Sequence, residues 1–425
     1  LLVPHSPFVA REDPLTASAN PLLDFSGLPR VDTVEPAHVE PAIRQLLAES
    51  RALIERLTAP NADAATPSWD NFAAPLTDGM ERLSRAWGIV GHLHSVLDIP
   101  PWREAYNAML PEVSRFYAEL GQNLALFARY KALRASPEYA TLSAARQRIL
   151  DNEIRDFRLS GAELPEAQKP RFQAIQEELA ALGAKFSENL LDATNAFAEY
   201  VSDPAELAGL PADAIEAARE AAEKDGKPGW KFTLHMPSYL PVLQYADSRR
   251  LRETLYRASA TRASEFGPEA LDNAPLIRQI LALRHEEAGL LGYASFAEVS
   301  LVPKMAESVA QVRAFLDDLA RKAKPFAEQD IAALRAYARE TLKLETLEPW
   351  DVAYVSEKLL QARYAFSEQE VKQYFTEPTV LAGLFAVIER LYGLRVQPDQ
   401  APVWHPDVRF YRLVDADGAL VGQFY

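Results

Sequence analysis

The chain of 425 residues contains no cysteine. That absence removes disulfide frameworks, thiol nucleophiles and thiolate metal ligands, and it suits a reducing cytoplasm. Basic charge is also short: 45 Lys and Arg face 60 Asp and Glu, for a formal net charge of −15. Nucleic acid and anionic membranes reward clustered cationic side chains, so neither is expected as a partner. No window approaches the roughly 18 consecutive apolar residues of a membrane-spanning helix. The opening Leu1-Leu2-Val3-Pro4-His5-Ser6-Pro7 lacks the basic and apolar regions of a signal peptide, and an initiator Met is missing. The natural start is therefore expected to be missing, processed or replaced.

What is present is helical periodicity. Residues 1–36, rich in Pro and polar groups, read as an extended arm. Pro36 then opens a helix whose stripe is Val39, Ile43, Leu46, Leu47, Ile54 and Leu57. Trp87, Val90, Leu93, Val96 and Leu97 continue the pattern. Over 171–200, Phe172, Ile175, Leu179, Leu182, Phe186 and Leu190 alternate steps of three and four, a coiled-coil-like seam. Leu150, Ile154 and Phe157 offer an antiparallel partner, with Pro165 and Pro170 in the connection, so a long helical hairpin is expected.

After the loop Asp225-Gly226-Lys227-Pro228-Gly229, the run Trp230, Phe232, Leu234 reads as a strand. Capping boxes are expected at Ser308 with Gln311, ahead of Val312, Phe315, Leu316 and Leu319, and at Ser367 with Glu370. Gly393 stands where a glycine ends a Val380–Tyr392 helix. Asp417-Gly418 lies between alternating runs (Val408, Phe410, Arg412; Ala419, Val421, Gln423), a hairpin signal. Stopping at Phe424-Tyr425, inside that second run, gives the expectation of a truncated chain. No short-period repeat appears, which argues against a solenoid.

Chemistry is harder to find. The seven histidines are His5, His38, His92, His94, His235, His285 and His405, and no two are four apart with an intervening Glu, as a helical zinc site requires. His92 and His94 are separated by about 200° of helix rotation, which points them to opposite sides. His285-Glu286-Glu287 begins like a zinc motif but meets Gly289 where the second His should stand, and reads as a solvated charged patch. There is no Gly-x-Ser-x-Gly elbow and no phosphate loop. Glu177-Glu178 and Glu286-Glu287 read as acidic neighbours on helices, and Trp69, Trp87, Trp102 and Trp350 as core packing. The residues themselves nominate no active site.

A combination of stretches carries more. Asn20-Pro21-Leu22-Leu23 precedes Val39-Glu40-Pro41-Ala42-Ile43. Thr261-Arg262-Ala263-Ser264 and Asp272-Asn273 precede Ile280-Leu281-Ala282-Leu283-Arg284 and Ala288-Gly289-Leu290-Leu291-Gly292-Tyr293, followed by Ser300-Leu301 and Lys304-Met305-Ala306. Pro349-Trp350-Asp351, Tyr374-Phe375 and Gly383-Leu384-Phe385 come next, and Val403-Trp404-His405-Pro406-Asp407-Val408-Arg409 leads into Gly422-Gln423-Phe424-Tyr425. Together they resemble the thimet-oligopeptidase family of zinc metallopeptidases over all but the extreme N-terminus.

The resemblance implies a mainly α, elongated, neurolysin-like body with a deep channel, incomplete here, with a small β hairpin near its C-terminal end. It implies zinc held by a His-Glu-x-x-His helix and a later Glu, zinc-activated water attacking a peptide carbonyl, and short peptides as substrates. All those catalytic residues would fall after Tyr425. The expectation is therefore no catalytic, cofactor-binding or metal residue in this chain, zinc only in the complete protein, and a missing C-terminal catalytic segment as partner. The chain alone should be inert. Its expected division is an arm at 1–36, a channel wall from 37–165 and 261–425, and part of a second domain at 166–260. The alternatives are a non-catalytic helical interaction protein or pseudo-enzyme, and a channel half that assembles with a separately encoded catalytic half.

Overall fold

The structure is a computed structural model and describes residues 20–59, 66–365 and 367–425. Among them are fifteen α-helices and five short strands, so the chain is mainly α. It divides into two compact units. One comprises the described residues up to Ala180 with Phe385–Tyr425, the other Ala181–Leu384.

The first unit begins with α1 (Pro36–Thr58), α2 (Ala74–Leu97), α3 (Pro100–Gly121), α4 (Leu124–Ala135) and α5 (Ala144–Leu159). Pro36 occupies the first turn of α1, where a missing N–H does no harm, and the Glu35 N–H donates to His38 Nδ1 at 2.9 Å. Val39, Ile43, Leu46, Leu47 and Ile54 are buried as the spacing predicts, against Leu83, Val90 and Leu93 of α2 in one core. Trp87 and Leu97 are partly buried against that core, while Val96 is exposed. Phe127 stacks on Phe157, and Tyr130 tilts against the same ring, so α5 spends its Leu150, Ile154 and Phe157 stripe on α4.

The first part of the expected arm lies outside the described residues. The part from Asn20 is not free: Leu22, Val31 and Val34 are buried, and Asn20 Nδ2 donates to His38 O at 2.8 Å.

The helix expected over 171–200 is α6 (Lys169–Ala196), which contains the boundary between the units. Its seam is buried only at Phe172 and Ile175; Leu179, Leu182 and Phe186 are half-buried and Leu190 is exposed. The hairpin with α5 gives way because α5 is already committed to α4. Early α6 instead meets α3 through the Arg115–Glu177 pair at 3.0 Å. Steps of three and four establish a stripe, but burial needs a neighbour that spacing does not name.

The second unit holds β1 (Glu199–Val201) antiparallel to β2 (Trp230–Phe232), with Val201 opposite Trp230. The helices are α7 (Ala212–Lys224), α8 (Met236–Tyr245), α9 (Arg249–Ala260), α10 (Ala274–Leu290), α11 (Phe296–Leu301), α12 (Val309–Glu340), α13 (Val352–Tyr364), α14 (Glu368–Lys372) and α15 (Glu377–Tyr392). α15 contains the second boundary. Val201, Phe232, Val242, Leu251 and Leu255 form this unit's core. Within this unit, Arg249 and Arg252 of α9 are bonded to Asp351, about a hundred residues on.

Ser308 caps α12 as expected, accepting from Gln311 N, although the Gln311 side chain accepts from Glu307 rather than Ser308. Ser367 makes no side-chain cap bond, so the second expected box does not form; α14 is only five residues long. Gly393, with φ +68°, follows α15 and donates to Glu389 O, as the C-cap reading requires.

The C-terminal sheet returns to the first unit. The expected hairpin is β4 (Phe410–Val414) and β5 (Leu420–Phe424), turned at Asp417-Gly418 with Gly418 at φ +85°. A third strand, β3 (Arg395–Asp399), pairs with β4 on the other side, giving the order β3-β4-β5.

One backbone position carries a prediction. Gly209 has φ +86°, and a Cβ there would lie 2.2 Å from the carbonyl oxygen of Tyr245. Gly209→Ala is therefore expected to destabilise the second unit by more than about 1–2 kcal/mol, the left-handed penalty alone, because the backbone cannot yield to the added methyl. Chemical denaturation followed by a probe in that unit measures it, and an unchanged midpoint would show that the turn relaxes.

Candidate functional site

The expected histidine roles can now be placed. His38 is buried in α1, where its ring is part of the helix cap. On α2, His92 lies edge-on to Trp404 at 4.3 Å and His94 stacks on Tyr106 at 4.4 Å. Two residues apart on a helix, they face different aromatic partners, as the rotation demands. His235 caps α8 and is exposed. His405 is exposed, with Nδ1 3.5 Å from Asp407. His5 lies outside the described residues. Among the described residues no group of three or more His, Asp or Glu side chains is placed to hold a metal ion.

The acidic pairs separate. Glu177 is bonded by Arg115 and Glu178 by Arg171, each at 3.0 Å, so both are ion-paired on the helical surface. The Arg115 hydrogen bond holds the Glu177 carboxyl below its ordinary range. On α10, His285 is exposed as a solvated patch should be, but Glu287 is buried beside Leu283 and Ala288. That part of the patch reading is corrected: the residue turns with the apolar face of its helix. Of the tryptophans, Trp102 is buried, Trp69 and Trp87 are partly buried, and Trp350 lies edge-on to Tyr256 with Arg257 4.7 Å over its ring.

Among the clefts in the first unit are two of similar size. One, of about 530 Å³, is lined by Trp87, Val113, Tyr117, Phe172 and Leu179. The other, of about 510 Å³, brings Glu81, Glu153 and Asp156 against Met80, Tyr117 and Tyr130. Burial pushes the Glu153 carboxyl up, and the neighbouring Asp156 adds to it. Among the described residues no histidine lines either cleft.

A buried ion centre lies in the second unit. Asp351 is fully buried, and Arg252 is 1% exposed. Arg252 donates to Asp351 Oδ1 at 2.8 Å and Arg249 to Oδ2 at 2.7 Å, while the Glu348 N–H donates to Oδ2 at 3.1 Å. The second arm of Arg252 reaches Ala246 O at 2.6 Å, and its guanidinium lies 4.0 Å over the ring of Tyr354. Burial alone would raise the Asp351 pKa; the hydrogen bonds from Arg249 and Arg252 more than offset it and hold it below the usual carboxylate value. Burial, with the hydrogen bond to Asp247, pushes the Tyr354 hydroxyl up to about 12. By joining Arg249 and Arg252 of α9 to Asp351 at the start of α13, this centre fastens the two helices together. The sequence contained Pro349-Trp350-Asp351 only as part of a resemblance, and no spacing rule links it to Arg252.

Comparison with known proteins adds what the geometry leaves open. The family model for "Peptidase family M3" matches residues 242–425, and that for "Neurolysin/Thimet oligopeptidase, N-terminal domain" matches residues 43–169. The chain is 43% identical over 409 residues to "Oligopeptidase A" of Salmonella typhimurium, covering 96% of this chain and 60% of that protein. It has the same identity and coverage with "Oligopeptidase A" of Escherichia coli. It is 40% identical over 429 residues to "Probable cytosolic oligopeptidase A" of Arabidopsis thaliana, again covering 60% of the relative. The chain thus spans about three-fifths of the length of these curated relatives. With both family models matched in order along one helical chain, it belongs to peptidase family M3, the thimet-oligopeptidase family, and is similar to oligopeptidase A within it.

Proposed function

We propose that this chain is the N-terminal, non-catalytic portion of a zinc-dependent metalloendopeptidase of the oligopeptidase A kind, which hydrolyses short peptides in the cytoplasm. The observation that carries the reading is the 43% identity to "Oligopeptidase A" along 96% of the chain. The described residues do not fit a zinc site: their histidines are scattered among a helix cap, aromatic stacks and solvent. In this reading the metal is held by residues outside this chain, and the chain supplies helical scaffold and a wall of the peptide channel. No helix among the described residues is long and apolar enough to cross a membrane, which suits a peptidase that works on dissolved peptides.

Metal analysis of the chain after dialysis tests the division of labour. The expected result is far less than one zinc per chain and no hydrolysis of short peptides. One tightly held zinc per chain, lost on His92→Ala or His94→Ala, would overturn it. A non-catalytic interaction protein becomes the better reading if the chain stays inert after it is joined to the remainder of a relative.

A further inference from the structure

Among the described residues, α12 has no partner over most of its length. Of its 32 residues only Ala338 is buried. Its last turns meet α13, where the Tyr337 hydroxyl donates to Lys358 O. Before that, Phe315 is 63% exposed, Leu316 55%, Leu319 47% and Phe326 68%. Val312, Leu316, Leu319, Ala323 and Phe326 follow steps of four, three, four and three, which is the seam of a helix that packs along another helix. The neighbouring charges pair within the helix itself, Asp318 with Arg321 and Lys322, and Lys324 with Glu328. Among the described residues these pairs stay within α12. A helix owes most of its stability to an apolar face that is covered, so a seam of this length left in water calls for an occupant.

We propose that this seam is the seat of an amphipathic helix from the part of the peptidase that lies outside this chain. The inference rests on the reading given under Proposed function. Three observations select that occupant. The relatives have about two-fifths of their length beyond what this chain matches. α12 falls inside residues 242–425, the stretch matched by the peptidase family model. Most of the large apolar side chains exposed among the described residues also fall there, from Phe266, Leu281 and Met305 to Tyr374 and Phe375. The docked segment should therefore present apolar residues three and four apart.

Amide hydrogen exchange over 313–327 tests this, in the chain alone and in the chain joined to the segment of Salmonella oligopeptidase A that lies outside the match. In the joined protein these amides are expected to slow by at least about 100-fold relative to the chain alone. Leu316→Glu with Leu319→Glu should abolish that protection without moving the unfolding midpoint of the chain alone, since both side chains are exposed there. If the joined protein hydrolyses peptides while 313–327 exchanges as fast as before, the docking inference fails and the peptidase reading stands. If protection appears without hydrolysis, the docking inference stands and the peptidase reading fails. Neither protection nor hydrolysis overturns both. Protection in the chain alone that grows with its concentration, together with a dimeric mass, would show that a second copy is the occupant and overturn the choice made here.

Discussion

Replacing Asp351 with Ala is expected to lower the unfolding free energy of the Ala181–Leu384 unit by about 3–5 kcal/mol, the typical effect of removing one partner of a buried ion pair. Arg252 would be left charged at 1% exposure, with one arm still on Ala246 O and the other facing a void. Arg252→Ala should act in the same direction, because it leaves the buried Asp351 carboxylate with the partly exposed Arg249 as its charged partner. Arg249 is more exposed, so Arg249→Ala should be milder. The ion centre also has a pH signature. Its carboxyl sits below the ordinary value when folded and returns to about 3.9 when unfolded. Its contribution is therefore fully present above the unfolded value and disappears as pH falls through the lower folded one. Wild type and Asp351→Asn should differ by a constant amount from about pH 5 to 7 and converge at lower pH. Denaturation monitored by exchange in 236–364 reads this unit apart from the other, as a chain of two units requires. A gap of under about 1 kcal/mol for both Asp351→Ala and Arg252→Ala would show that the cluster does not hold α9 to α13.

The other large effect lies in the first unit. Phe72 is fully buried, meets Tyr130 edge-on with ring centroids 4.8 Å apart, and has the Arg129 guanidinium 5.1 Å over its face. Phe72→Ala removes a ring from the core shared by α2 and α4 and should destabilise that unit by about 3–5 kcal/mol. Leu190→Ala, on the exposed end of the α6 seam, should change stability by no more than about 0.5 kcal/mol, although the sequence ranks it as a seam residue. Leu182 is half-buried and should fall between. Urea unfolding followed by a probe in each unit gives the order, since Phe72 lies in the first unit and Leu182 and Leu190 in the second. Equal losses at Phe72 and Leu190 would mean that the seam is covered after all.

The pattern of what could be read follows from the range of the interactions. α1 is set by Pro36 and a stripe within seven turns, and the end of α15 by Gly393, so both were legible. The β4–β5 hairpin was legible from Asp417-Gly418. β3 was not: Pro398 weakens a strand reading, and it is tolerated because β3 is an edge of the sheet. The partner of α5 is α4 rather than α6, a choice made by complementary side chains such as Phe127 and Phe157 rather than by periodicity. Arg252 and Asp351 stand 99 residues apart, and no local rule pairs them. The α12 seam was legible as a stripe, whereas its exposure could be seen only in three dimensions. As for the site, the residues nominate no chemistry of their own, and the family came from short scattered stretches that only mean something together.

As proposed above, the chain is the scaffold portion of a family M3 peptidase and takes its chemistry from the rest of the protein. This reading is tested most directly by following hydrolysis of a short internally quenched peptide, by the chain alone and by the chain joined to the unmatched segment of Salmonella oligopeptidase A. The expected result is no turnover by the chain, and turnover by the joined protein that a zinc chelator removes and added zinc restores. A joined protein that is folded and zinc-loaded yet cleaves nothing, or cleavage by the chain alone, would contradict it.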